Sequence, residues 1–326
     1  RHTRCGWLSR GLGDVYKRQG EGLLGSPSPS YDGQTLFFTM APAGEPYVHV
    51  YRIGIDGSGL QQVTSGPFHD FDPCELPDGR IAFASTRGGT AEEYHAVAAF
   101  SIFSCAPDGS DIRPLTNHIV GDREPRVTAD GALVFVRCDN FMERAKVETH
   151  PHRTRLDGSG GEIVIGPDRP SLLYDRDRAA EAGSAWLRIY GAGSPAPLAD
   201  GRIAAISERG VVVTPERRGE RIGRYIPYDI SPLPDGRILC TAHDRMRVCI
   251  LDPHTGETAE VVCTDDLQFP ETAPLPPRRG YLDGEIHSAV SLAPRPQPTG
   301  RPDMFDPPGH PTAMQTGFLY CQNVLN

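Results

Sequence analysis

The chain has 326 residues, 33 basic against 42 acidic side chains, a formal net charge of −9, 36 glycines and 31 prolines. The acidic balance argues against a nucleic-acid partner, whose phosphates demand a basic footprint, and no apolar run of the roughly 18 residues that a membrane-crossing helix needs is present. Glycine and proline at this density, among apolar residues that alternate, fit a turn-rich all-β chain long enough to bury a substantial core.

The N-terminal stretch stands apart. Asp14-Val15-Tyr16-Lys17-Arg18-Gln19 resembles the conceptual translation of a sequencing-library adapter, so residues 1–19 are set aside from the fold and a different true N-terminus is expected. Beyond it one phrase recurs five times: Ser26-Pro27 before Asp32-Gly33, Asp72-Pro73 before Asp78-Gly79, Glu124-Pro125 before Asp130-Gly131, Ser194-Pro195 before Asp200-Gly201 and Asp229-Ile230 before Asp235-Gly236. The Asp-Gly supplies a turn whose glycine tolerates positive φ. After it, Leu36 and Phe38, Ile81 and Phe83, Leu133 and Phe135, and Ile238 and Cys240 recur at a spacing of two, which is a strand with one apolar face.

A second landmark follows in most copies. Asp56-Gly57-Ser58 precedes Val63-Thr64, Asp108-Gly109-Ser110 precedes Leu115-Thr116, Asp157-Gly158-Ser159 precedes Ile163, and Asp252 to Gly256 precedes Val261-Val262. Each reads as the hairpin between the last two strands of a unit. The Asp-Gly turns lie 46, 52, 70 and 35 residues apart, the longest interval holding an insertion at about 167–197. Small four-stranded sheets repeated at this period must stack to bury their faces, and a ring of them is a β-propeller. Five blades are legible over residues 20–263, and six or more are expected in a full protein. Residues 264–326 change character, and their prolines predict an extended linker that wraps the propeller or leads to another domain.

His69-Asp70-Phe71-Asp72-Pro73-Cys74-Glu75-Leu76-Pro77-Asp78-Gly79 and Asp108-Gly109-Ser110 with Leu115-Thr116 resemble the repeats of TolB-type, WD-repeat-like propellers. Leu233-Pro234-Asp235-Gly236-Arg237-Ile238-Leu239, Val211-Val212-Val213-Thr214-Pro215 and Ala293-Pro294-Arg295-Pro296-Gln297-Pro298 are similar to the middle domain of hydrazine synthase alpha-subunit-like proteins. These resemblances imply an exported bacterial protein, periplasmic or extracellular. The second also implies neighbouring haem chemistry, although no Cys-x-x-Cys-His occurs here.

Loops between blades gather at the mouth of a propeller channel, so repeat-equivalent residues converge there. That makes His69, Asp70, Asp72, Asp122, Glu124 and Asp229 candidate ligand-binding residues, with a divalent cation or a positively charged ligand as the species that several carboxylates suit. The alternative is that these side chains cap turns by accepting backbone N–H bonds. Glu148, His150 and His152 alternate on one face of an extended segment and form a candidate metal set, although Pro151 between the histidines predicts an edge strand or loop. Cys240 and Cys249 fall opposite one another if residues 244–245 turn a hairpin, either as two small buried residues or as a disulfide.

No G-x-S-x-G elbow, P-loop or G-x-G-x-x-G is present, so no catalytic residues and no further cofactor are assigned. The reading that follows is a non-catalytic binding or scaffold module with a ligand or protein partner at the channel mouth. Two alternatives stand beside it: a propeller from a hydrazine synthase alpha-like redox protein, and one from a prolyl oligopeptidase-type peptidase without its catalytic domain.

Overall fold

In the computed structural model, residues 23–91, 98–139, 148–164, 190–207, 210–214, 222, 227–242, 247–263 and 288–298 are described. They form a five-bladed β-propeller with no helix among them. Blade one is β1 (Leu23–Pro29), β2 (Thr35–Ala41), β3 (His49–Gly54) and β4 (Gln61–Gln62); blade two is β5 (Asp70–Glu75), β6 (Ile81–Ser85), β7 (Ser101–Cys105) and β8 (Arg113–Pro114). Blade three is β9 (Gly121–Val127), β10 (Leu133–Asp139), β11 (Glu148–Thr154) and β12 (Glu162–Ile163). Blade four has β13 (Tyr190–Pro197), β14 (Ile203–Ser207) and β15 (Gly210–Val213), with Ile222 bridged to Val211 outside them. Blade five is β16 (Asp229–Pro232), β17 (Ile238–Thr241), β18 (Arg247–Leu251) and β19 (Thr258–Cys263). Neighbouring strands within each blade are antiparallel, and the first strand lies innermost.

The recurring residues explain the turns. In each Asp-Gly turn the glycine N–H donates to the carbonyl three residues back, as Gly79 does to Leu76 (2.9 Å), at a φ between 69° and 86°. The aspartate accepts from the backbone two residues on in four copies, for example Arg80 N–H to Asp78 Oδ1 at 3.1 Å. Thr64 and Thr116 accept the N–H of Val50 and Ile102 on the third strand of their blades, at 3.0 and 2.9 Å. Pro151 occupies the matching place in β11, its carbonyl accepting from Val164 N–H at 2.8 Å as that of Val50 does from Val63. β11 is therefore an inner strand rather than an edge, because the N–H that proline lacks is one that the other blades send to a threonine side chain and not to the ladder.

Packing follows a rule of alternating size. Ile81 and Phe83 face the preceding blade, where they meet Phe37, Val50 and Val63. Ala82 and Ala84 face the following one and receive Leu133 and Phe135. Val134 meets Ile203, Ala205 and Val212 at the next junction, and Ala204 and Ile206 meet Ile238 and Cys240 at the one after. Burying the valine, leucine, isoleucine and phenylalanine side chains among these stabilises the fold by roughly 1.5–3 kcal/mol each. Among the described residues no apolar cluster joins blade five to blade one, and Leu36 and Phe38, the counterparts of Ile81 and Phe83, are only half-buried. The segment predicted to hold the insertion divides: residues 165–189 lie outside the described residues, whereas residues 190–197 form β13, the inner strand of blade four. Residues 288–298 run as an extended strap against the Asp-Gly turns of blades one and two.

Candidate functional site

In the inner strands of the first four blades the residue before proline is held at positive φ: Ser26 (48°), Asp72 (52°), Glu124 (55°) and Ser194 (49°). Each sits in a β-bulge. Ser26-Pro27, Asp72-Pro73, Glu124-Pro125 and Ser194-Pro195 interrupt the register of β1, β5, β9 and β13 against their partners. Proline fits because a bulged position has no ladder bond to lose. The non-glycine left-handed backbone costs about 1–2 kcal/mol per residue, so something must hold it.

What holds it is the neighbouring blade. Ser26 Oγ–H donates to Asp72 Oδ1 (2.6 Å), Glu124 N–H donates to Asp72 Oδ2 (3.2 Å) and Ser194 N–H donates to Glu124 Oε2 (2.7 Å). Four blades are thus tied in series at the hub by side chains from one repeat position. The fifth copy has Ile230 where the others have proline, and its strand pairs in continuous register without a bulge. Asp229 remains close enough to raise the proton affinity of Glu124. That carboxyl, half-buried, is held above its usual range by burial first and by the Asp72 carboxylate next, against the pull of Arg123 and Arg126.

These residues line a cavity of about 640 Å3 on the axis. Asp72, Glu124, Asp229 and Tyr228 are on its wall, together with Arg123, Arg126, apolar positions such as Phe71 and Ile230, and the strap. Tyr31, 8% exposed, also lines it, and its hydroxyl is buried with no hydrogen-bond partner among the described residues. Burial pushes the Tyr31 phenol well above its ordinary range, so it is a donor at any working pH.

Three of the predicted mouth residues lie elsewhere. Asp70 is fully buried near the start of its blade and accepts from Ser85 Oγ (2.6 Å) and from Arg87 Nη2 at both carboxylate oxygens (2.9 and 2.8 Å), with His49 Nδ1 at 3.2 Å. Asp122, also fully buried, is paired with Arg137 through Nε (2.7 Å) and Nη2 (2.8 Å). The two arginines lie over Phe83 and Phe135, 5.4 Å from either ring centroid, so both pairs belong to one blade-building device. His69 is packed between Tyr47 and Phe71, and burial lowers its proton affinity. None of the three lines the cavity. The bulge makes the difference: Asp72 is within it and faces the hub, and Asp70 is two residues earlier in the regular strand.

The candidate metal set on β11 is spread along one strand. His152 stacks on Phe135 at 6.1 Å, and burial followed by the charge of Arg137 lowers its pKa to about 4. Of Glu148 only the backbone is described, where it pairs with Tyr190 of blade four. Among the described residues no three His, Cys, Asp or Glu side chains converge to hold an ion. Cys240 and Cys249 are direct cross-strand partners with no disulfide between them.

Sequence reasoning missed Tyr31, Arg123 and Arg126, and it offered a linker wrapping the propeller as one of two readings of the tail without naming the residue that anchors it. The signal for the bulges was present, since a proline after an acidic or small residue recurs within four strands that otherwise alternate.

No protein-family model matches the chain, and no curated protein does. Among solved structures, hydrazine synthase from Kuenenia stuttgartiensis is similar at 14% identity and a TM-score of 0.56, over 76% of this chain and 39% of that one. TolB from Acinetobacter baumannii is similar at 14% identity and a TM-score of 0.50, over 74% of this chain and 55% of that one. The chain therefore spans about two fifths of the first and just over half of the second, and the likeness is one of fold.

Proposed function

We propose that this chain is a non-catalytic binding module whose ligand or protein partner seats at the turn end of the hub. The observation that carries this reading is the cavity itself: three carboxylates from three blades, one of them protonated more readily than usual, share a partly apolar wall with an orphaned buried phenol. Fold alone does not assign function, so the reading rests on this site. Asp72 and Glu124 already accept bonds from neighbouring blades, which leaves them fewer free oxygens than the six to eight that a hard cation collects. That favours an organic cation with an apolar body over a bare divalent ion, and the Tyr31 hydroxyl oxygen offers the N–H of such a ligand an acceptor. A place in an exported bacterial protein, periplasmic or extracellular, completes the proposal.

Titration calorimetry of the full chain with spermidine, calcium chloride and magnesium chloride tests it. Saturable binding of the polyamine, lost in Glu124→Gln/Asp229→Asn, is the expected result. Binding of calcium alone would make the site a metal seat, and absence of heat from all three would remove the cationic-ligand reading.

A further inference from the structure

The strap is seated as a peptide ligand is seated. Residues 288–298 form no strand, join none of the apolar clusters and leave Leu292 44% exposed. Most of its polar contacts with the blades come from one residue. Arg295 N–H donates to Tyr31 O (2.8 Å), its Nη2 donates to Pro29 O (2.9 Å), and its guanidinium lies 4.8 Å from the centroid of the Tyr31 ring. Gln297 Nε2 adds a bond to Pro77 O in the turn of blade two.

Contacts outside the strap shape the receiving surface, while the Arg295 Nε is buried with no hydrogen-bond partner among the described residues. Glu75 fixes Tyr31 through the backbone, the Tyr31 N–H donating to Glu75 Oε2 at 2.6 Å; burial raises its proton affinity, and that hydrogen bond and the Arg295 guanidinium oppose the rise. Gly33 lets the strap come close, because a Cβ there would stand 2.2 Å from Leu292 O. A ring face, a backbone carbonyl and a nearby carboxylate around one guanidinium make an arginine-recognition pocket. Prolines on both sides stiffen the segment and reduce the ordering cost of docking it.

We infer that the turn end of the hub is a recognition site for an extended Pro-Arg-Pro peptide, filled in cis by residues 288–298 and open in trans to a partner segment of that chemistry when the strap leaves. The inference rests on the reading of this end as a ligand seat, but it needs no cation in the cavity. Peptide binding without spermidine binding would leave it standing while the cationic reading fell.

The test uses the full chain and a fluorescein-labelled peptide copying residues 288–298, followed by anisotropy. The wild type, its site occupied in cis, is expected to bind weakly, and Arg295→Ala, whose own strap has lost its anchor, at least tenfold more tightly. The same peptide with alanine in place of its arginine is expected not to bind Arg295→Ala. Adding Gly33→Ala on the receiving side is expected to abolish binding of the unaltered peptide. Circular dichroism and a thermal midpoint on each variant confirm that it folds; if Gly33→Ala does not, Tyr31→Phe and Tyr31→Leu replace it, the first expected to bind and the second not. Equal affinity of wild type and Arg295→Ala, or equal affinity of the two peptides, would overturn the inference.

Discussion

Asp72 is where the hub can be weakened with the clearest separation of causes. Its carboxylate accepts from Ser26 in blade one and from Glu124 N–H in blade three, while its own backbone sits at a φ of 52°. Asp72→Ala removes both acceptors. Leaving a buried N–H unsatisfied costs about 1–3 kcal/mol, and alanine tolerates left-handed backbone less well than aspartate, part of the roughly 1–2 kcal/mol for that conformation. Relief of repulsion with Glu124 offsets a fraction, so the net expectation is a loss of about 3 kcal/mol. Asp72→Asn keeps an acceptor, tolerates the backbone and removes the repulsion, so about 1 kcal/mol or less is expected. Asp72→Gly frees the backbone but restores no acceptor, and should fall between them. Urea titrations followed by circular dichroism read all three, with thermal midpoints moving by about 2–4 °C per kcal/mol. If alanine and asparagine agree within about 0.5 kcal/mol, the carboxylate is not a latch and the reasoning fails.

Glu124→Gln tests the electrostatics. The folded chain holds the Glu124 proton to a higher pH than the unfolded chain does, so the stability this provides is present at acid pH and is lost as pH rises through the elevated value. Urea midpoints from pH 4 to 8 should therefore show the wild type losing ground to Glu124→Gln as pH rises; parallel curves would contradict it. Gly57→Ala and Gly109→Ala form a matched pair at the same φ of 83°, but a Cβ at Gly109 would stand 1.9 Å from Val63 O of the preceding blade, while at Gly57 it meets nothing within 4 Å. The first should cost about 1 kcal/mol, as left-handed alanine does, and the second clearly more; equal thermal midpoints would show that the hairpin does not press on its neighbour.

Much of the fold was legible because its devices are local. Asp-Gly turns, Asp-Gly-Ser hairpins and the large residues at Ile81 and Phe83 are written in adjacent positions, and their recurrence reports stacking directly. Pro151 pointed to an edge because proline was weighed against a regular ladder; the threonine bond that it replaces is visible only when blades are superposed. At the hub, the positions of Asp72 and Glu124 could be counted from the Asp-Gly turns, whereas Asp70 and Asp122 were grouped with them by proximity in sequence. The bulge turns Asp72 and Glu124 to the axis, while Asp70 and Asp122, two residues earlier in the regular strand, are locked to Arg87 and Arg137. A linker wrapping the propeller was one reading of the proline-rich tail, but its anchor was not legible: Arg295 reaches Pro29 across 266 positions, and no periodicity announces a contact that occurs once.

The most direct test of the hub latch is a double-mutant cycle on Ser26 and Asp72, two residues 46 positions apart whose hydrogen bond exists only if blades one and two meet at these bulges. Stabilities of Ser26→Ala, Asp72→Ala, the double variant and the wild type give the coupling free of each residue's other interactions. Favourable coupling of about 1 kcal/mol or more is expected for this bond to a charged acceptor. Additive losses, with coupling near zero, would contradict it.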